Sequence, residues 1–412
     1  MDLIASIPAD PDLSWWRIVC LSWPIGIFAF AVCLAMAPLC RRWALVRGVV
    51  DRPDDFLKPH GRPTPYLGGV AVFTGWLAGL LIARFGIGID IPARLMVAIC
   101  GAGLGIMLVG LFDDLRVMRP KVKLLANILV ALWLIGFGVG DELIQVVTGP
   151  ILGSDGLGQR WLELAYSAPL AVLIVIVACN ATNLIDGMDG LCSGVLGIAA
   201  FGFLILAIHL RIAPAAEPGV ADLRIVLALA MLGAAAGFLP FNHHPATIFL
   251  GDAGSMLLGL NTAVLILLFA HEHNIRWVLG AAMIFGLPLS DMVLTLLRRW
   301  RNGRPLMEGD RSHYYDQLHD RGLSVRQVVA ISYMLAIAFL LVGVCAIFLR
   351  TRYLVLACGL AAGAVALGVW KMDMVGIAPD RRSAGNGSPP PSQLADESQE
   401  AQDGHRPAPA GH

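Results

Sequence analysis

Eleven apolar runs, each close to the length that crosses a bilayer, occupy most of residues 18–370. They fall near 18–39, 67–85, 93–112, 124–140, 165–181, 193–210, 225–241, 247–269, 277–297, 328–349 and 353–370. A helix needs about 20 mainly apolar residues to span the hydrocarbon core. In lipid every backbone polar group must be satisfied within the segment, so such runs can fold only as helices or as part of a closed barrel. Runs this long exclude strands, and the expected fold class is an all-α polytopic integral membrane protein of about eleven transmembrane helices. Composition agrees: 57% of residues are hydrophobic, 15% are charged, and the mean hydropathy is +0.72, too apolar for an ordinary soluble domain.

Charge then sets the orientation. With the amino terminus outside, the inside segments carry 21 of the 30 Lys and Arg, in residues 40–66, 113–123, 298–326 and after 370. Basic residues favour the cytoplasmic side. The chain therefore reads as an extracytoplasmic N-terminus (1–17), a transmembrane domain (18–370) and a cytoplasmic tail (371–412). The tail turns to Gly, Ser, Pro, Asp and Glu, as in Ser388-Pro-Pro-Pro-Ser392, a composition that buries too little apolar surface to fold. No cleavable signal is evident, because the start has no basic region ahead of the first apolar run. The eight Cys show no metal-ligand or disulfide-framework spacing.

Acids interrupt this apolar pattern in three places, all on the expected cytoplasmic side. Asp113 and Asp114 end one span. Asn180, Asn183, Asp186 and Asp189 recur every three residues between two others, with Gly187 and Gly190 among them. Asp252 lies between Gly251 and Gly254. A lone Asp-Asp at a membrane boundary means little, since charges at the interface are cheap. Three acidic breaks on one face are another matter, because charge in or near a span is costly and marks function. Adjacent carboxylates repel unless a cation is present. The pattern points to a divalent metal held near phosphate at a membrane surface.

Two basic loops share that face. The longer, residues 298–322, holds Arg304, Asp310, Arg311, His313 and Asp316; the first inside loop holds Lys58, His60 and Arg62. Arginine binds phosphate through two prongs and histidine can donate to a phosphate oxygen. His243 and His244 are adjacent, which disfavours a shared zinc, and they offer at most a polar loop beside a nucleotide. A different class of protein, an ion-coupled transporter, would also keep intramembrane carboxylates, but near mid-membrane.

Taken together, these motifs resemble the polyprenyl-phosphate N-acetylhexosamine-1-phosphate transferases. That superfamily includes bacterial enzymes that start enterobacterial common antigen, O-antigen and wall teichoic acid, as well as phospho-MurNAc-pentapeptide translocase. The resemblance covers roughly residues 18–370. It implies catalytic roles for Asp113, Asp114, Asp189 and His313, and metal ligation by Asp186 and Asp252, with Mg²⁺ as the ion and Mn²⁺ as its alternative. Lys123, Asn180, Asn183, Asp310 and Arg311 are the implied substrate-binding residues, and Lys58, His60 and Arg304 join them as candidates from the two loops. Many relatives carry His-x-His-His where this chain reads His313-Tyr314-Tyr315-Asp316, and the triple-His stretch of the MurNAc-pentapeptide branch is missing.

The implied reaction moves N-acetylhexosamine-1-phosphate, with GlcNAc-1-phosphate the first choice, from a UDP-sugar to a polyprenyl phosphate. Polyprenyl-diphosphate-sugar and UMP result, and a cell-envelope glycan such as a lipopolysaccharide O-antigen begins. The partners implied are the UDP-N-acetylhexosamine, the polyprenyl phosphate lipid and the membrane, with room for a homodimer and no nucleic acid. The setting implied is the inner (plasma) membrane, with the active site on the cytoplasmic face.

Overall fold

A computed structural model describes residues 14–51, 63–116, 118–146, 148, 160–212, 218–270, 274–303, 313–349, 351–372 and 374. Lys58, His60, Arg304, Asp310 and Arg311 lie outside the described residues, as does the tail beyond 374. The architecture is all-α and membrane-spanning. In chain order the helices are α1 (Trp15–Arg47), α2 (Gly68–Leu81, continued by a π-helical segment Ile82–Ile87), α3 (Ala93–Leu115), α4 (Pro120–Gly136), α5 (Arg160–Leu184) and α6 (Leu191–Ile212). They are followed by α7 (Pro218–Asn242), α8 (Gly251–Ala270), α9 (Ile275–Ile284), α10 (Gly286–Arg301), α11 (Tyr314–Asp320), α12 (Val325–Ala346) and α13 (Thr351–Lys371).

Among the described residues eight helices are individually long and apolar enough to cross a membrane; the bent pair α9–α10 makes nine if it is one span. The two remaining runs of the expected eleven are α4 and α13. At 17 residues, α4 rises only about 26 Å at 1.5 Å per residue, less than the roughly 30 Å hydrocarbon core. A two-residue antiparallel ladder, Val50 opposite Pro65 and Asp51 opposite Thr64, is the only strand pairing among the described residues.

Packing follows residue size. The buried residues of α1 are Ile18, Ser22, Ile25, Ala29, Cys33, Ala37, Cys40 and Ala44, spaced three or four apart and mostly small. Trp16, Leu21, Ile27, Phe28 and Trp43 are exposed. Small residues let helix backbones approach in a bilayer, while bulky ones are at no disadvantage facing lipid. Every residue of α8 from Ala253 to Ala270 is buried, which makes α8 the central helix, packed by α2, α3, α5 and α9.

Two buried polar groups of this interior are held by specific partners. The Trp76 indole donates to Asn261 Oδ1 at 2.9 Å. Arg224, fully buried, donates from Nε (3.1 Å) and Nη2 (2.6 Å) to the Leu268 carbonyl. Its positive charge thus caps the C-terminal turn of α8, where the helix dipole favours a cation.

The other end of α8 is where the site lies, and it is fixed by backbone bonds. Phe249 N donates to Pro65 O at 2.8 Å, Gly68 N to Phe249 O at 3.0 Å and Gly69 N to Leu250 O at 2.8 Å. The start of α2 therefore clamps the segment that leads into α8.

Candidate active site

Four helices bring the acidic motifs together at the N-terminus of α8. Asp114, near the end of α3, accepts from Asp252 N at 2.8 Å and from Ala253 N at 3.1 Å. Those N–H groups begin α8 and have no partner within it, so Asp114 caps the helix from another chain segment. The approach requires Gly251. Its φ of +72° is left-handed, and a Cβ there would lie 2.7 Å from Asp114 Oδ2. Only glycine meets both demands at low cost.

Asp252 sits in the first turn of α8. Its Oδ2 accepts from Lys123 Nζ at 2.5 Å and its Oδ1 from Asn183 Nδ2 at 2.6 Å. Lys123 also pairs with Asp113, whose Oδ1 accepts from Met118 N at 2.6 Å. One ammonium therefore bridges the carboxylates that close α3 and open α8. Asn183 also donates to Ser255 Oγ at 3.1 Å. Asn180 does not join this cluster: its amide donates back to Ile176 O at 2.7 Å within α5.

Asp186 occupies the turn between α5 and α6. Its backbone N–H donates to Asn183 O at 3.3 Å, but its carboxylate has no hydrogen-bond or ion-pair partner among the described residues. Burial raises its carboxyl well above the usual range, and the charges of Asp252, Asp114 and Asp189 raise it further. Asp189, expected beside it in a catalytic role, turns away to the α7–α8 connection. There Oδ2 accepts from His244 Nδ1 at 2.7 Å and Ala246 N at 3.0 Å. Asn242 fastens the same turn, accepting from Gly190 N at 3.2 Å and Ser193 Oγ at 2.8 Å.

A second cluster surrounds His313, which precedes α11. Its Nδ1 lies 2.7 Å from Asp291 Oδ2 and 3.2 Å from Thr295 Oγ1, both on α10. Tyr314 donates from its hydroxyl to Ser332 Oγ at 2.8 Å, and Tyr315 donates to Leu184 O at 2.8 Å. A Cβ on Gly187 would lie 2.1 Å from the Tyr315 oxygen, so α11 packs directly beneath the turn that carries Asp186. Tyr315 thereby joins the His313 cluster to the acidic motif of α5–α6.

Sequence reasoning missed Asp291. Its signal was present: an acid inside the expected span 277–297, followed by Thr295, Arg298 and Arg299 at helical spacing. All four are buried. The apolar segment breaks here by 74° between α9 and α10, and broken helices with inward polar groups belong where protein lines a cavity rather than where it meets lipid.

The sequence profile described as glycosyl transferase family 4 matches residues 96–270, which contain all three acidic motifs. A probable undecaprenyl-phosphate N-acetylglucosaminyl 1-phosphate transferase of Bacillus subtilis is 32% identical over 316 residues, covering 76% of this chain and 81% of its own. The chain belongs to the polyprenyl-phosphate N-acetylhexosamine-1-phosphate transferase family. A decaprenyl-phosphate N-acetylglucosaminephosphotransferase of Mycobacterium tuberculosis is 32% identical over 305 residues, 67% of this chain and 70% of its own. A phospho-N-acetylmuramoyl-pentapeptide-transferase of a Synechococcus strain is 33% identical over 258 residues, 60% of this chain and 68% of its own. The family thus reaches both branches of its chemistry, and this chain is similar to members of each.

Whether a divalent ion fits this family member's site depends on its donor set. Among the described residues no three His, Cys, Asp or Glu side chains form a cage that could hold a metal alone. Mg²⁺ does not need one: it binds one or two carboxylates and keeps waters and phosphate oxygens for its other positions. Of the carboxylates Asp113, Asp114, Asp186 and Asp252, only Asp113 and Asp252 have a cationic partner among the described residues, the shared ammonium of Lys123. Asp186 has no cationic partner among the described residues. That excess of negative charge suits a cation, so the residues present fit.

Proposed function

We propose that the protein transfers N-acetylhexosamine-1-phosphate, with GlcNAc-1-phosphate as the simplest donor group, from a UDP-sugar to a polyprenyl phosphate. An oxygen of the lipid phosphate forms a bond to the sugar-bearing phosphorus of the donor. The bond from that phosphorus to the bridging oxygen breaks, and UMP leaves with the electron pair. The observation that carries this reading is the convergence of Asp113, Lys123, Asn183 and Asp252 from α3, α4, α5 and α8 at one end of the bundle. The names of the similar proteins supply the polyprenyl phosphate and the GlcNAc-1-phosphate. A transporter would be expected to place its acids near mid-membrane; here they stand at the C-terminal end of α3 and the N-terminal end of α8.

Two polyanions must meet in this reaction. Lys123 neutralises part of their charge and is held in place by Asp113 and Asp252. A phosphate monoester has its second pKa near 6 and is mostly deprotonated at neutral pH. Asp113 therefore acts by orienting Lys123 and the lipid phosphate more than by removing a proton. Asp114 holds Asp252 in register through the α8 backbone. Asp186 and Asp252 are the residues that would hold Mg²⁺, which when bound supplies charge neutralisation to the donor diphosphate. His313 engages the donor on the far side of the Asp186 turn. The excess of Lys and Arg in the segments on this side supports a cytoplasmic active site in the inner membrane.

The test is direct. Purified protein is given several UDP-sugars with a polyprenyl phosphate, and UMP release is followed with and without a chelator. UMP release that requires the lipid supports the reading. Lipid-independent release or none at all with every donor would refute it, and full activity in EDTA would remove the metal from it.

A further inference from the structure

The strongest feature outside the acidic motifs is the carboxylate of Asp291. It is 2% exposed, on the polar face of α10 just beyond the helix break. A buried carboxylate is retained only when its lone pairs are well used, and both oxygens here are engaged. Oδ2 faces His313 Nδ1 at 2.7 Å, and Oδ1 accepts from Tyr314 N at 3.0 Å. A carboxylate oxygen accepts from an imidazole N–H, so this contact favours the tautomer with the proton on Nδ1 of His313. Thr295, one turn further along α10, places Oγ1 3.2 Å from the same nitrogen. The imidazole also stacks on the Tyr315 ring, with centroids 5.2 Å apart and planes within 5° of parallel. The His313 ring is thus fixed in tautomer by one contact and in plane by another, before any ligand arrives.

We propose that Asp291 is a positioning residue for His313: it holds the imidazole in the Nδ1–H tautomer so that Nε2 is the atom presented to the donor's diphosphate. The inference rests on the reading that His313 engages the donor. The rival account is that Asp291 merely caps the short helix α11 through Tyr314 N.

A double-mutant cycle on the full chain in detergent separates the two. UMP release from UDP-GlcNAc and undecaprenyl phosphate is measured for Asp291→Asn, His313→Ala and the pair, with melting curves to confirm folding. Partners that orient a functional histidine cost about 10- to 100-fold when replaced. Asp291→Asn should lower kcat and kcat/KM together by that order, leaving the KM for the lipid unchanged. The double variant should be no slower than His313→Ala alone, because residues acting as one unit are not additive. Losses that multiply in the double variant would overturn the inference in favour of capping. A slow His313→Ala beside a wild-type Asp291→Asn would overturn it while leaving the role of His313 intact. Wild-type turnover in His313→Ala would overturn both. Should Asp291→Asn not fold, Asp291→Glu carries the test. It keeps the charge but displaces the oxygens, and wild-type kcat in that variant would equally defeat the proposal.

Discussion

Asp114→Ala removes a side chain whose two oxygens accept the opening N–H groups of α8, the most buried of the long apolar helices among the described residues. Leaving a buried backbone donor without its acceptor costs about 1–3 kcal/mol per group, and two such donors lose theirs here. Asp114 and Asp252 are both half-buried, so water can take up part of what is lost. A net destabilisation of about 2–4 kcal/mol is expected. Asp114→Asn keeps one acceptor oxygen and should lose roughly half as much. Thermal unfolding in detergent measures the effect, and UMP release measures the consequence for transfer. Both variants should melt lower than wild type in that order. Both should also lose transfer activity, because Asp252 no longer starts α8 in a fixed position. If Asp114→Ala melts like wild type, the carboxylate is not holding the helix and the structural role argued for it is wrong.

Other perturbations test the surrounding parts. Asp186→Asn removes a carboxylate held against the charges of Asp252, Asp114 and Asp189; with chelator it should melt at or above wild type, and added Mg²⁺ should raise the melting point of wild type alone. A Mg²⁺ shift of equal size in both proteins would exclude Asp186 as a ligand. Gly187→Ala places a methyl 2.1 Å from the Tyr315 oxygen and should cut transfer at least tenfold by displacing α11 from the Asp186 turn, whereas near-normal turnover would show that this contact yields freely. Cysteines at the exposed positions Arg301 and Arg160, in a background freed of native Cys, should label from opposite faces of the membrane. Labelling from one face would break the proposed topology.

Hydropathy is a local property, and the chain's architecture was legible for that reason. A run of apolar residues 20 long has one way to satisfy its backbone in lipid, so each long helix was readable from its own segment. The exceptions were also local. The short helix α4 and the kink at Phe285 come from limited length and from Gly286 and Pro288 near the break. Asp113, Asp186 and Asp252 were legible as candidate site residues because acids in an apolar chain are expensive wherever they point.

What each acid does was decided by the tertiary structure. Asp114 meets the α8 backbone across 138 residues, Asp189 meets His244 across 55, and His313 meets Asp291 across 22. No periodicity encodes such pairs. They arise when helices separated in sequence pack through small residues and bring their ends together. Asp113 and Asp114 are neighbours in the chain, yet one pairs with a lysine ammonium and the other caps a helix. Sequence shows where charge is worth its cost, and only packing determines which partner meets it.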